Sequence, residues 1–132
     1  MSREDFNKSS ILVKDIMTKA LISVNLSTIS FQIAKMMQQG GIGAIIVKEN
    51  ENPVGVVTDR DFATRIAANK LPFETPAEKI MSSPLISINH DSTISEAAEM
   101  MNSKKIRKLA VTENNKIIGI ITSTDLVNQL AK

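Results

Sequence analysis

Apolar residues change their period in a fixed order along this chain, and the order occurs twice. Ser10 is placed to cap a short helix running through Met17, and residues 21–25 alternate as a brief strand. Ile29, Ile33, Met36 and Met37 then recur at helical spacing up to Gly40-Gly41, a pair suited to stopping a helix. Residues 44–47 form an all-apolar strand, residues 48–53 carry turn chemistry with Pro53, and residues 54–57 form a second strand. The two strands predict a hairpin. Phe62, Ala63, Ile66 and Ala67 line one face of a following helix.

Residues 69–75, punctuated by Pro72, read as a linker. In Thr75-Pro76-Ala77-Glu78 the Thr is a cap, Pro holds the first helical position and Glu lies three residues beyond the cap; Ser82-Ser83-Pro84 ends that helix. The series then repeats as a strand over 85–88, a helix over 94–101 and a strand over 109–111. A turn at 113–116, a strand at 117–121 and a helix at 126–130 complete it.

A shift of 64 positions superimposes Ile16-Met17 on Ile80-Met81, Met36-Met37 on Met100-Met101 and Glu49-Asn50 on Glu113-Asn114. It also brings Gly55, Thr58 and Asp61 onto Gly119, Thr122 and Asp125. The chain is therefore a duplicated unit, and such periods dictate architecture. The expected organisation is a loose segment 1–9, a first repeat over 10–68, a linker over 69–75 and a second repeat over 76–132. The expected fold is mixed α/β (α+β), each repeat holding a three-stranded sheet flanked by helices. Neither half can cover both faces of such a sheet alone, so the halves are expected to pack about a pseudo-two-fold axis as one compact module.

Composition narrows the function classes. The 132 residues are 42% hydrophobic and 23% charged, values of a globular chain with enough length for a core. There is no Cys, which removes disulfides, thiol nucleophiles and Cys-based metal sites together. No apolar run is long enough for a membrane span, and the mixed-charge start Met1-Ser2-Arg3-Glu4-Asp5-Phe6 shows no secretory signal, so a cytoplasmic location is expected. The net charge is only +2, with one basic cluster, Lys104-Lys105-Ile106-Arg107-Lys108. Aromatics are 3%, with neither Trp nor Tyr, so stacking platforms for single-stranded nucleic acid are scarce.

The chemistry concentrates where an apolar strand ends and a helix begins: Gly55-Val56-Val57-Thr58-Asp59-Arg60-Asp61 and Gly119-Ile120-Ile121-Thr122-Ser123-Thr124-Asp125. Thr-x-x-Asp resembles a capping box, which stabilises a helix start by roughly 1 kcal/mol. The same junction presents unpaired N–H groups and the positive end of the helix dipole, which attract anions. Both readings stand for either copy. His90, the one His, sits in a polar turn beside Asp91 and is expected to face solvent; one His without Cys does not make a usual zinc site. Asp59 and Asp61 have no further acidic neighbours in sequence. No base, nucleophile and metal set is assembled, so no enzyme is expected. The paired methionines read as core filler.

Asp15-Ile16-Met17-Thr18 opening a unit, a helix ending in Met-Met, an apolar strand and then Gly-x-x-Thr-x-x-Asp resemble the cystathionine-beta-synthase (CBS) repeat, two of which form a Bateman module. The resemblance covers about residues 11–131, and Val57-Thr58-Asp59-Arg60-Asp61 is similar to the form in small stand-alone members. It implies a non-catalytic sensor that binds adenosyl compounds such as AMP, ADP or ATP, sometimes NAD or S-adenosylmethionine, in the cleft between repeats. It gives Asp61 and Asp125 the ribose hydroxyls, and Thr58, Thr122 and Thr124 the sugar and phosphate. Adenine would be covered by Pro84, Leu85 and Ile86 for the Asp61 site and by Ala20, Leu21 and Ile22 for the Asp125 site. These apolar residues equally suit ordinary sheet core.

The family places phosphate-binding cations just before the second strand of each unit. Arg107-Lys108 match that pattern in the second copy, with Arg107 the better fork for phosphate. In the first copy Gly43-Ala44 stand there instead, so the carry-over fails, and Arg60 could compensate in part. The two sites are therefore expected to be unequal. The resemblance further implies a flat homodimer through exposed helical faces, and the output is expected to act on a separate effector protein or on the module's own assembly. Two other functions compete: a protein-interaction module that binds no small molecule, and, less well supported, nucleic-acid binding through the basic cluster.

Overall fold

The computed structural model describes residues 10–19 and 22–132; the expected loose segment 1–9 lies outside the described residues, as do Ala20 and Leu21. The element order is α1 (Val13–Ile16), β1 (Thr18–Lys19), β2 (Ser23–Asn25), α2 (Ser30–Gly40), β3 (Ala44–Glu49) and β4 (Asn52–Thr58). There follow α3 (Asp59–Asp61), continued by a π-helical segment Phe62–Ala67, and then α4 (Ala77–Ile80). The second series is β5 (Ser87–Asn89), α5 (Ile94–Lys104), β6 (Lys108–Glu113), β7 (Lys116–Thr122) and α6 (Ser123–Leu130). The α/β character and the order of elements agree with the sequence pattern.

Two compact units divide the chain, and they are offset from the sequence repeats. The described residues 22–85 form one, here the Asp61 unit; the described residues up to Lys19 join Ile86–Lys132 in the other, the Asp125 unit. The offset has a local cause. A four-residue helix is too short to be stable alone and begins with N–H groups that need acceptors. Val13 N donates to Ser92 O at 2.8 Å and Lys14 N to His90 O at 3.1 Å, so α1 is held by the loop ahead of α5. Ala77 N donates to Thr28 O at 2.8 Å and Glu78 N to Leu26 O at 3.0 Å, the same arrangement 64 positions on. Each repeat's opening helix thus completes the unit built from the other repeat.

In the Asp61 unit the sheet order is β2-β3-β4, with β2 parallel to β3 and β3 antiparallel to β4. Its core gathers Val24, Ile33, Ile45, Val47, Val57, Ile66, Ala77 and Ile80. In the Asp125 unit Val13, Ile88, Ile94, Ala97, Met101, Leu109, Val111 and Ile121 do the same. Met36, Met37 and Met100 pack against these cores, which agrees with a filling role. The Asp125 unit corrects the expected strand count: its sheet has four strands, β1-β7-β6-β5. Thr18 pairs with Ile120 and Lys19 with Gly119 along the β7 edge. The Asp61 unit keeps only a single bridge at the matching place, Val56 with Ser82.

Four further expectations change. Leu12, not Ser10, precedes α1, and its N–H is capped by Asp15 Oδ2 at 3.1 Å. Pro76 is the residue before α4 rather than its first helical position; Thr75, one step earlier, uses its hydroxyl on Pro72 O at 2.6 Å instead of on the helix. Ile29 precedes α2 and is 40% exposed, so the helix buries Ser30 and Ile33 instead. After α3 the chain bonds five residues back, as in Ala68 N to Ala63 O at 3.1 Å. That wider turn rotates Ala63 and Ala67 into solvent and leaves Phe62 and Ile66 inward.

Candidate functional site

Both Thr-x-x-Asp junctions fold as strand end, then helix start, and both carboxylates turn back on their Thr. Thr58 N donates to Asp61 Oδ2 at 2.8 Å and Thr58 Oγ1 at 3.2 Å. Thr122 N donates to Asp125 Oδ2 at 2.9 Å and Thr122 Oγ1 at 3.1 Å, and Asp125 N donates to Thr122 Oγ1 at 3.2 Å. The capping reading is therefore realised in both copies. An ionised carboxylate has a second oxygen, and there the copies part.

Asp61 is 3% exposed, and its Oδ1 accepts from Ser82 Oγ at 3.1 Å and pairs with Arg65 Nε at 3.4 Å. Arg65 also donates from Nη1 to Met81 O at 3.1 Å, so one guanidinium ties the carboxylate to the segment after α4. A buried charge is tolerable only with such partners. Neither Arg65 nor Ser82 is part of the repeated Thr-x-x-Asp motif. The signals were present: Asp61 and Arg65 have the i, i+4 spacing that pairs helical charges, and Ser82 is the repeat partner of Thr18.

Asp125 is only partly buried, and among the described residues its Oδ1 has no protein partner. The positions matching Arg65 and Ser82 hold Gln129 and Thr18. Cations lie at this junction: Lys108 pairs in register with Thr122, and Ser123 N donates to Arg107 O at 2.9 Å. The main chain thereby fixes Arg107 and Lys108 beside the start of α6, with the Arg107 side chain exposed. Thr124 is exposed in the first turn of α6.

At the first junction the register place of Arg107 belongs to Gly43, where an added Cβ would lie 3.8 Å from Asp59 Oδ2. An acid thus borders the place where the second copy has a base. Arg60 is exposed and its carbonyl accepts the Thr64 hydroxyl at 2.9 Å.

Of the apolar candidates, Ile22 and Leu85 belong to the Asp61 unit and Ile86 to the Asp125 unit, all half-buried; Pro84 is exposed. The carbonyls of Ile22 and Ile86 accept from Ile46 N at 3.1 Å and Ala110 N at 2.8 Å, extending the ladders of β2 and β5. These two residues serve the sheet. Ala20 and Leu21 lie outside the described residues. His90 departs from the solvent-facing expectation: its Nδ1 is buried without a partner among the described residues and Nε2 lies 3.5 Å from Glu113 Oε2. Among the described residues no group of three or more acidic or His side chains could hold a metal ion, and no helix is long and apolar enough to cross a membrane.

Known proteins share this fold. The CBS domain family model matches the chain twice, at residues 13–68 and 77–132. The CBS domain-containing protein YhcV of Bacillus subtilis is 35% identical over 120 residues, covering 90% of this chain and 86% of its own. An uncharacterized protein of Methanopyrus kandleri is 34% identical over 121 residues, which is 89% of this chain but only 62% of that relative's length. An uncharacterized conserved protein from Pyrococcus horikoshii has a solved structure matching with a TM-score of 0.77 at 30% identity, over 94% of this chain and 95% of that one. A putative signal-transduction protein with CBS domains from Burkholderia ambifaria matches with a TM-score of 0.70 at 26% identity, over 85% and 83%. The chain therefore belongs to the CBS domain family and carries two copies of that domain.

Proposed function

We propose that this CBS pair is a non-catalytic regulatory module that binds an adenine nucleotide of the AMP, ADP or ATP class, with Asp125 as the ribose acceptor. The observation that carries the reading is the spare Oδ1 of Asp125 at the start of α6, beside Arg107 and Lys108. A carboxylate oxygen without a protein donor suits a pair of sugar hydroxyls. Helix-start N–H groups and an exposed guanidinium suit the phosphate that follows. Thr122 holds the carboxylate in place and Thr124 offers a hydroxyl from the same turn. NAD and S-adenosylmethionine carry the same adenosyl group and are the alternatives to compare. Binding has regulatory content when the ligand prefers one conformation over another. The signal-transduction name of the Burkholderia ambifaria relative accords with such a role.

Thermal melting with AMP, ADP, ATP, NAD and S-adenosylmethionine tests this. A ligand at 100 times its dissociation constant stabilises by roughly 2.7 kcal/mol. A rise in Tm with one or more of them is expected, and flat melting curves with all five would end the nucleotide reading.

A second reading rests on a separate observation. Phe31 and Phe73 are 54% and 67% exposed and adjoin through Phe31 N to Phe73 O at 2.9 Å; Val127 and Leu130 on α6 are 62% and 53% exposed. We propose that these apolar side chains serve self-association. Sedimentation of the wild type against Phe73→Ser and Val127→Ser checks it: a dimer lost in one variant is expected, and a monomeric wild type ends it.

A further inference from the structure

We infer that the two Thr-x-x-Asp junctions have divided their labour: Asp61, Arg65 and Ser82 form a structural latch, and the chain takes one nucleotide, on Asp125. The inference rests on the nucleotide reading above and adds which junction is excluded and why.

Two independent observations exclude the first junction. Its carboxylate is consumed from inside, since Oδ2 takes both donors of Thr58 while Oδ1 takes Ser82 Oγ and Arg65 Nε. A ribose hydroxyl would have to displace an internal cation and a hydroxyl from a residue that is 3% exposed. The place of the phosphate-binding base is also reversed in sign, because Gly43 adjoins Asp59 where Arg107 adjoins Ser123. An anion entering there would meet the acids Asp59 and Asp61.

Arg65 is the residue that sets the difference. It reaches from the π-helical segment to Asp61 Oδ1 and to Met81 O. The bridge between Ser82 and Val56 holds the same segment to the β4 edge, by Ser82 N to Val56 O at 2.8 Å and Val56 N to Ser82 O at 3.1 Å. The carboxylate thus fastens the segment after α4 to the helix start. At the second junction the matching residue, Gln129, has neither charge nor a guanidinium fork, and the carboxylate keeps an oxygen to spare.

Isothermal titration with AMP, ADP and ATP separately, on the wild type and on Asp125→Asn, Asp61→Asn, Arg65→Gln and Ser82→Ala, tests the division. Asn retains a capping oxygen, so each junction can still fold. One nucleotide per chain is expected in the wild type. Asp125→Asn should weaken it by at least about tenfold, the loss of one charge-assisted hydrogen bond. Arg65→Gln, Ser82→Ala and Asp61→Asn should leave affinity within about twofold and lower Tm by a few degrees, the shift that a loss near 1 kcal/mol gives at this size. Arg65→Gln combined with Asp61→Asn should lower Tm by less than the sum of the two single variants, because both remove the Asp61–Arg65 pair. Two nucleotides per chain, or affinity lost with Asp61→Asn and kept in Asp125→Asn, would overturn the division. No heat with any nucleotide would instead overturn the nucleotide reading. The latch is then judged by melting alone, and an Arg65→Gln variant with wild-type Tm would refute it.

Discussion

At the scale of single residues, the glycines of the repeated motif owe their place to a neighbour distant in sequence. A Cβ on Gly119 would lie 2.6 Å from Met17 Sδ and 2.8 Å from Thr18 O; on Gly55 it would lie 2.6 Å from Met81 Sδ and 3.0 Å from Ser82 O. The methionine can swing away, but the carbonyl belongs to a segment paired with the strand itself. Gly119→Ala is therefore expected to cost about 1–3 kcal/mol by overpacking. Gly43→Ala meets nothing closer than 3.8 Å and should be nearly neutral. Urea unfolding of the two variants measures the contrast; equal midpoints would show that the strand edge yields. The motif's Gly was legible in the sequence as a recurring letter, but its reason was not, because Met17 and Thr18 lie about a hundred residues from Gly119.

At the scale of elements, local signals decided most of what the sequence revealed. The helix ending at Gly41 closes in the left-handed region, φ 63°, as a Gly stop predicts. Thr93 and Glu96 form a reciprocal cap at the start of α5, with Glu96 N to Thr93 Oγ1 at 3.1 Å and Thr93 N to Glu96 Oε1 at 3.1 Å. Thr93→Ala should therefore cost about 1 kcal/mol, read from thermal unfolding; an unchanged Tm would mean that packing alone starts this helix. The hairpin turns were legible only as turns. They narrow to Asn50-Glu51, φ 50° and 69°, and Asn114-Asn115, φ 51° and 66°, the two-residue form that matches the strand twist. Glu51 is the ill-suited residue there, since a side chain with a Cβ resists positive φ. Glu51→Gly should raise stability by up to about 1 kcal/mol, and a lower unfolding midpoint would contradict that. The π-helical segment and the fourth strand of the Asp125 unit leave no mark in the apolar period because tertiary packing, not local preference, produces them.

At the scale of the whole molecule, the duplication is read in one frame and packed in another. Sequence periodicity groups residues 10–68 and 76–132, yet α1 is bonded into the Asp125 unit and α4 into the Asp61 unit. The cause is the same at both places: Val13 and Ala77, each 0% exposed, fill the core of the unit built mainly from the other repeat. Short helices carry too little of their own stability to hold position, so the core that accepts them decides where they belong. A mutational consequence follows. Ile80 is 0% exposed in the core that holds Ile45, Val47 and Val57. Ile80→Ala should cost about 2–5 kcal/mol, and the loss of protection in native-state amide exchange should appear first in β3 and β4, which lie in the other repeat. Val13→Ala should instead expose β6 and β7. If Ile80→Ala released β6 and β7 first, the opening helix would be energetically part of its own repeat, and the exchange of helices would be connectivity without stabilising weight.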